Sequence, residues 1–251
     1  MVLQTLMAFV DIFLVFSQLQ KRFVHLHGHV RLTDLGGTVP MADLTELRYA
    51  ILNGDDKLAV QLTEAALDQG ASPAELIKQW MIPAMDEVGR LFEEQEYFVP
   101  ELLLSGRAMR AALELLRPLL AASGSQPTGR IVLGTVKGDL HDIGKNLVGS
   151  MLEGAGFDVY DVGIDVATEK FVDAVAQRNP DILALSALLT VTMPEMKKVI
   201  DALAGAGMRN KVKVLIGGAP VTNDFAKEIG ADGYGENASS AVTVARSLMG
   251  K

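Results

Sequence analysis

The side chains able to do metal or acid–base chemistry are few. The chain has no cysteine and four histidines, so any metal must be held by imidazole or oxygen rather than thiolate. His25, His27 and His29 crowd together near the N-terminus, while His141 stands alone. The three could place their imidazoles on one side of a strand, a metal-holding arrangement, or be an incidental run. His141 sits within Val136-Lys137-Gly138-Asp139-Leu140-His141-Asp142-Ile143-Gly144-Lys145-Asn146. A carboxylate two residues before an imidazole can accept one ring N–H, fixing the tautomer and raising the basicity of the other nitrogen, as is usual for metal-bound histidine. Asp139 is that carboxylate. A lone histidine near a helix start can equally be a surface residue or a cap, so the loop must be read with the elements that carry it.

The 251 residues are 49% hydrophobic and 22% charged, a globular composition with room for one large domain or two modest ones. Lys and Arg number 23 against 31 Asp and Glu, for a formal net charge of −8. That balance argues against a sequence-independent phosphate-binding surface, so nucleic acid is not an expected partner. The lack of cysteine removes disulfides and thiol nucleophiles and fits a reducing cytoplasm. Met7 to Phe16 is apolar but interrupted by Asp11, and is shorter than the roughly 20 residues a membrane span needs. No Lys or Arg precedes Lys21, so the positive start of a secretory signal is missing. Gly36-Gly37 can be encoded by a ribosome-binding sequence just ahead of Met41. Met41 is therefore the expected start, and residues 1–40 a non-native or misassigned extension.

From Asp43 to about Ala122 apolar residues recur three and four apart, the helical period. Leu44, Leu47 and Ile51 mark a first helix and Leu58, Leu62 and Ala65 a second. Ser72, Pro73 and Glu75 read as a capping box opening a third, whose stripe is Ile77, Trp80, Ala84, Val88 and Leu91 and which Pro83 should bend. Pro100 opens a fourth, with stripe Leu102, Met109, Leu113, Leu116 and Leu120. Short connections predict an antiparallel four-helix bundle over 41–122. Phe98 and Val99, between the third and fourth helices, belong to no stripe; they are either a hydrophobic staple or an apolar surface with another use.

Residues 123–129 are small, polar and breaker-rich, a linker by composition. Beyond them, over 130–251, short β-branched runs alternate with helical spacing: Ile131 to Val136, Phe157 to Val162, Asp181 to Ser186, Val212 to Ile216 and a weak fifth at Asp232 to Tyr234. This predicts a five-stranded parallel doubly wound sheet of flavodoxin-like type. Such sheets bind ligands beyond the carboxyl ends of their strands, where strand order reverses. The loops to inspect are those after Val136, Ser186 and Ile216.

Three matches fall on those loops. Asp139-x-His141-x-x-Gly144, with its flanking residues, resembles the corrinoid-binding motif of cobalamin-dependent methionine synthase, the cobalamin-dependent mutases and, most of all, the methyltransferase corrinoid proteins. Ser186-Ala187-Leu188 is similar to the family's S-x-L after strand three, and Gly217-Gly218-Ala219 to its glycines after strand four. The resemblance covers about Asp43 to Gly250, because the family's carriers also place a four-helix cap before the α/β domain. It implies a cobalamin cofactor with His141 as lower cobalt ligand, Asp139 as its partner, and Thr192 as the hydroxyl extending that relay. Thr192 could otherwise be the N-cap of the helix that Pro194 helps to open. Val136, Lys137, Gly138, Asp142, Ile143 and Gly144 would border the cofactor from the first loop. Ser186, Leu188, Thr190, Gly217, Gly218, Ala219 and Tyr234 would border it from the others. Met193 and Met196 read as packing.

The function implied is carriage of a methyl group on cobalt, cycling between cob(I)alamin and methylcob(III)alamin. Partners would be a substrate:corrinoid methyltransferase that loads it, an acceptor methyltransferase using tetrahydrofolate or a thiol, and a reductive activase. The chain would not be an enzyme alone. A cobalamin-dependent sensor is the alternative, though neither a basic recognition helix nor spare sequence exists for a DNA-binding module. A phosphoryl receiver would need an Asp where Ser186 and Ala187 stand, and a flavodoxin a hydroxyl-rich loop where Lys137-Gly138 stands. The bundle is expected to cover the upper corrin face, with Phe98 and Val99 as apolar lid and Leu102 and Leu103 beside them, and to swing aside on the linker.

Overall fold

Strand order in the sheet is β2-β1-β3-β4-β5, all parallel, the flavodoxin-like winding whose switch point lies between β1 and β3. The structure is a computed structural model and describes residues 44–123 and 126–250. The expectations placed on residues 1–40, on Met41 as start and on His25, His27 and His29 lie outside the described residues. The strands are β1 (Arg130–Thr135), β2 (Asp158–Asp161), β3 (Ile182–Ser186), β4 (Lys213–Gly217) and β5 (Gly233–Gly235). They alternate with α6 (Ile143–Gly154), α7 (Thr168–Arg178), α8 (Met193–Gly205), α9 (Asn223–Ile229) and α10 (Ala238–Leu248). Before them come α1 (Leu44–Leu52), α2 (Asp56–Asp68), α3 (Pro73–Leu76), α4 (Ile82–Glu93) and α5 (Val99–Ser123).

Side chains alternate across the sheet because successive strand residues point to opposite faces. Ile131, Leu133, Ile182, Ala184 and Leu215 enter one core with α6, α10 and the bundle helices. Val132, Leu183, Leu185, Val214 and Ile216 enter a second core under α7, α8 and α9. The bundle is thus a further layer outside α6 and α10. Its seam is made by small residues: a methyl group on Gly154 would lie 2.7 Å from Met85, and one on Gly106 2.8 Å from Ser150. Arg110 and Arg117 of α5 both pair with Glu153 of α6, at 2.9 and 2.8 Å. A swinging bundle would have to part this seam as well as bend the linker. At the linker's end Thr128 is already fixed, donating its N–H to the Gly156 carbonyl.

Two local expectations are corrected, and the third, at Pro83, gains its local form. In α2 the buried side is Ala59, Thr63 and Ala66, whereas Leu58 is exposed and Leu62 and Ala65 half-buried. Small residues let α2 lie close against α5, and Thr63 turns its hydroxyl back to the Ala59 carbonyl. The capping box does not form: Ser72 makes no side-chain cap bond, and Pro73, with its preset φ, starts the helix unaided. The helix containing Pro83 widens ahead of it into a π-helical turn, Ile77–Met81. There the Ile82 N–H bonds five residues back to Ile77, because proline has no N–H to offer the Gln79 carbonyl.

Candidate functional site

β1 ends in a tight turn at Gly138, whose φ is +81°, and the chain then crosses the carboxyl edge between β1 and β3. Asp139 is fully buried there. Its Oδ1 lies 2.7 Å from His141 Nδ1 and accepts the His141 N–H at 3.2 Å. Its Oδ2 accepts the Leu188 N–H at 2.7 Å and the Leu189 N–H at 3.2 Å. Thr192 Oγ1 stands 2.8 Å from the same Oδ2 and 2.8 Å from the Leu189 carbonyl, so its one hydrogen is shared between them. Burial pushes the Asp139 carboxyl up, but the His141 ring, the Leu188 N–H, the Thr192 hydroxyl and the His141 N–H outweigh it. The carboxyl is held well below the usual carboxylate range.

An ionised carboxylate only accepts, so the proton between Asp139 and His141 belongs to Nδ1, and in the neutral imidazole the lone pair falls to Nε2. His141 is 49% exposed, anchored by Asp139 and by its own carbonyl, which accepts from Thr135 Oγ1 at 3.0 Å. An imidazole held on one nitrogen and open on the other is the donor a metal centre requires. The Thr192 alternative is decided by geometry. The residue occupies the N-cap position of α8, makes no cap bond, and faces Asp139 instead.

Gly144 needs no positive φ, and a methyl group there would meet nothing within 4 Å. Packing within the chain gives no reason for glycine at this place, whereas close passage of a flat ligand does. Gly217 and Gly218 have an internal reason: added methyl groups would lie 2.8 Å from the Gly235 carbonyl and 1.9 Å from the Ala187 carbonyl. Leu188 contributes its N–H to Asp139 while its side chain is exposed, as is that of Ile143. Asp142, Thr190 and Ala219 are also exposed at this edge, with Ser186 and Tyr234 half-buried. Val136 is a correction of kind: its side chain is wholly in the core, so only its backbone faces the loop. Lys137 is half-committed elsewhere, pairing with Asp165 at 3.0 Å.

The start of α5 comes to the same edge. Along α5, Gly106 meets Ser150, Arg110 meets Ser150 and Glu153, and Arg117 meets Glu153. Partners advance in the same order, so α5 and α6 run in the same direction. Seven residues back from the Gly106–Ser150 contact, about 10 Å at 1.5 Å per residue, α5 begins at Val99 and α6 at Ile143. Phe98 is 62% exposed and Val99 is exposed, so no staple forms. Tyr97 takes the anchoring part, packing against the core and donating its hydroxyl to the Leu52 carbonyl at 3.2 Å. Of the two leucines expected beside a lid, Leu103 is exposed but Leu102 is core.

Residues to which the sequence analysis gives no role also meet here. Asp165, in the loop after β2, bonds Gly138 and Asp139. Lys145, its side chain 2% exposed, pairs with Asp161 and donates to Asn146 Oδ1. Gly163 beyond a strand end is the one sequence cue, and it does not single out Asp165, whose loop follows β2 rather than lying at the switch point between β1 and β3. No group of three or more His, Asp or Glu positioned for a metal ion occurs among the described residues.

A doubly wound sheet presenting a carboxylate-oriented imidazole at its switch point, with a helical bundle packed on one face, defines a cofactor-binding protein. Profiles described as B12 binding domain match residues 129–243 and 44–117. A corrinoid protein of Desulfitobacterium hafniense (strain Y51) is 39% identical over 214 residues, covering 84% of this chain and 99% of that one. Dimethylamine corrinoid protein 1 of Methanosarcina acetivorans is 45% identical over 207 residues, covering 82% and 97%. Among solved structures, the methanol:cobalamin methyltransferase complex of Methanosarcina barkeri matches with TM-score 0.74 and 30% identity, over 93% of this chain and 92% of that chain. The chain belongs to the methyltransferase corrinoid proteins, and its cofactor is cobalamin. The donor set fits that cofactor, with one carboxylate-oriented imidazole and, at Gly144, a position where an added methyl group would meet nothing within 4 Å.

Proposed function

We propose that the chain carries a methyl group on cobalamin between two methyltransferases, with His141 Nε2 as the protein ligand to cobalt. The observation that carries the reading is the buried Asp139 carboxylate, which accepts from His141 on one oxygen and from Leu188 and Thr192 on the other. When bound, cobalt supplies a nucleophile able to take a methyl group and give it up again. Asp139 keeps the proton on Nδ1 and the lone pair on Nε2, so the imidazole is oriented before the cofactor arrives. Thr192, sharing its hydrogen between Asp139 and the Leu189 carbonyl, lets the carboxylate adjust as the demand on the histidine changes. Phe98 and Val99, brought to the same edge, supply an apolar cover that keeps water from the reacting side. Bundle opening, if a partner drives it, must be repaid by that partner's greater affinity for the open form.

A substrate:corrinoid methyltransferase would load the protein, a tetrahydrofolate- or thiol-dependent methyltransferase would unload it, and a reductive activase would restore oxidised cofactor, all in the cytoplasm. The complex of Methanosarcina barkeri and the dimethylamine corrinoid protein support a methyltransferase partner. Among the described residues no helix is long and apolar enough to cross a membrane. The test is reconstitution with hydroxocobalamin, followed by reduction, treatment with a methyl donor, and addition of an acceptor methyltransferase with its thiol. Stoichiometric binding and methylation of the thiol are expected. A protein that binds cobalamin but never yields the methyl group would favour the sensor reading.

A further inference from the structure

Asp165 is a non-glycine residue in the left-handed region, with φ +49°, a conformation that costs energy and persists only where its surroundings require it. What it touches is the loop that carries His141. Its Oδ1 accepts the Gly138 N–H at 2.8 Å and sits 3.0 Å from Lys137 Nζ. Its own N–H donates to the Asp139 carbonyl at 3.0 Å. One residue therefore grips the backbone on both sides of the Gly138–Asp139 junction. The next residue, Val166, bridges back to Val136 and donates to the Thr135 carbonyl. At the loop's far end, Lys145 in the first turn of α6 pairs with Asp161, whose other oxygen accepts the Gly163 N–H. The segment Asp161 to Val166 thus holds both ends of the loop whose middle is His141.

We propose that Asp165 is a positioning residue for His141, acting through Asp139, with the Lys145–Asp161 pair fixing the opposite end of the same loop. Asp139 must aim Oδ1 at the His141 ring and Oδ2 at β3's end simultaneously, and its side chain has only two torsions with which to do so. Backbone placement at Asp139 decides whether both are met. Asp165 supplies that placement from the loop after β2, through its bonds to Gly138 and Asp139. The inference deepens the reading of His141 as cobalt ligand and rests on it only for its consequence in cofactor binding.

Three variants separate the carboxylate from the backbone strain. Asp165→Gly removes the carboxylate while relieving the left-handed φ, so it is expected to fold. Asp165→Asn keeps an acceptor oxygen on a residue that tolerates this region. His141→Ala identifies the His141 signals. The first readout is the His141 ring tautomer in cofactor-free, ¹⁵N-labelled protein, by long-range ¹H–¹⁵N correlation above neutral pH. Wild type is expected in the Nδ1–H form, Asp165→Gly in a mixture carrying substantial Nε2–H, and Asp165→Asn restored towards wild type. The second readout is hydroxocobalamin affinity, expected to fall on the order of 10-fold in Asp165→Gly and to recover in Asp165→Asn. A wild-type tautomer in Asp165→Gly overturns the proposal. A shifted tautomer with unchanged affinity upholds it and counts instead against His141 as cobalt ligand, so the two failures are distinguishable.

Discussion

Around Asp139 every buried polar atom has its partner, whereas at the start of α5 two apolar side chains, Phe98 and Val99, face solvent. Both regions belong to the same edge of the sheet. The first is complete without any cofactor: the carboxylate is buried, ionised and surrounded by donors, and no buried side-chain polar atom among the described residues lacks a partner. The second is unfinished, an exposed aromatic and valine behind an anchored Tyr97. The difference follows from what each region must do. A metal ligand gains from being oriented in advance, since affinity is then not spent on ordering it. A cover over a reacting group must be displaced by every partner, so it is held by little.

Four changes break or sharpen that contrast. The largest effect is expected of Gly218→Ala, which places a methyl group against the Ala187 carbonyl at φ +129°. It should cost about 3 kcal/mol or more of stability, read from the urea midpoint, by pushing β4 away from β3, beyond whose end Leu188 donates to Asp139. Asp139→Asn keeps the shape but not the charge, and should weaken cobalamin binding on the order of 10–100-fold, measured by titration. It should also change acid stability. Asp139 is ionised in the folded protein to well below its ordinary range, so its stabilisation is fully present above about pH 3.9. That stabilisation is lost as pH falls further, because the unfolded chain then takes up the proton first. Acid unfolding of Asp139→Asn should lack this component.

Tyr97→Phe removes one hydrogen bond from the anchored side and should cost about 1 kcal/mol by thermal or urea unfolding. Phe98→Ala should change stability by less than about 0.5 kcal/mol, as an exposed residue does, and leave cobalamin binding nearly unchanged. The same variant should hasten oxidation of the reduced cofactor, followed by absorbance. Equal stability losses at positions 97 and 98, with oxidation unchanged, would mean the segment is packing throughout.

The central strands β1, β3 and β4 were legible because they are buried on both faces and read as continuous apolar runs between breakers, whereas β2 and β5 at the edges are more exposed and read more weakly. The loop was legible because imidazole, carboxylate and glycine stood at a strand end. α2 was misread by one position, since Leu58 and Leu62 look more core-like than Ala59, Thr63 and Ala66, yet close helix approach rewards small size. Asp165 was invisible for a different reason. Its grip runs largely through backbone atoms and a left-handed φ, neither of which its residue type announces as a glycine would. The shared core of bundle and α6 was hidden behind the linker's composition, which reports a chain break but not what packs across it.

The central claim is that His141, oriented by Asp139, is the protein's cobalt ligand. It is tested most directly by Co(II) electron paramagnetic resonance of the reconstituted protein labelled with ¹⁵N in histidine only. A doublet splitting from a single ¹⁵N nucleus in wild type, lost in His141→Ala, is the predicted result. A spectrum showing only the cofactor's own ¹⁴N triplet, or a doublet that survives His141→Ala, would contradict it.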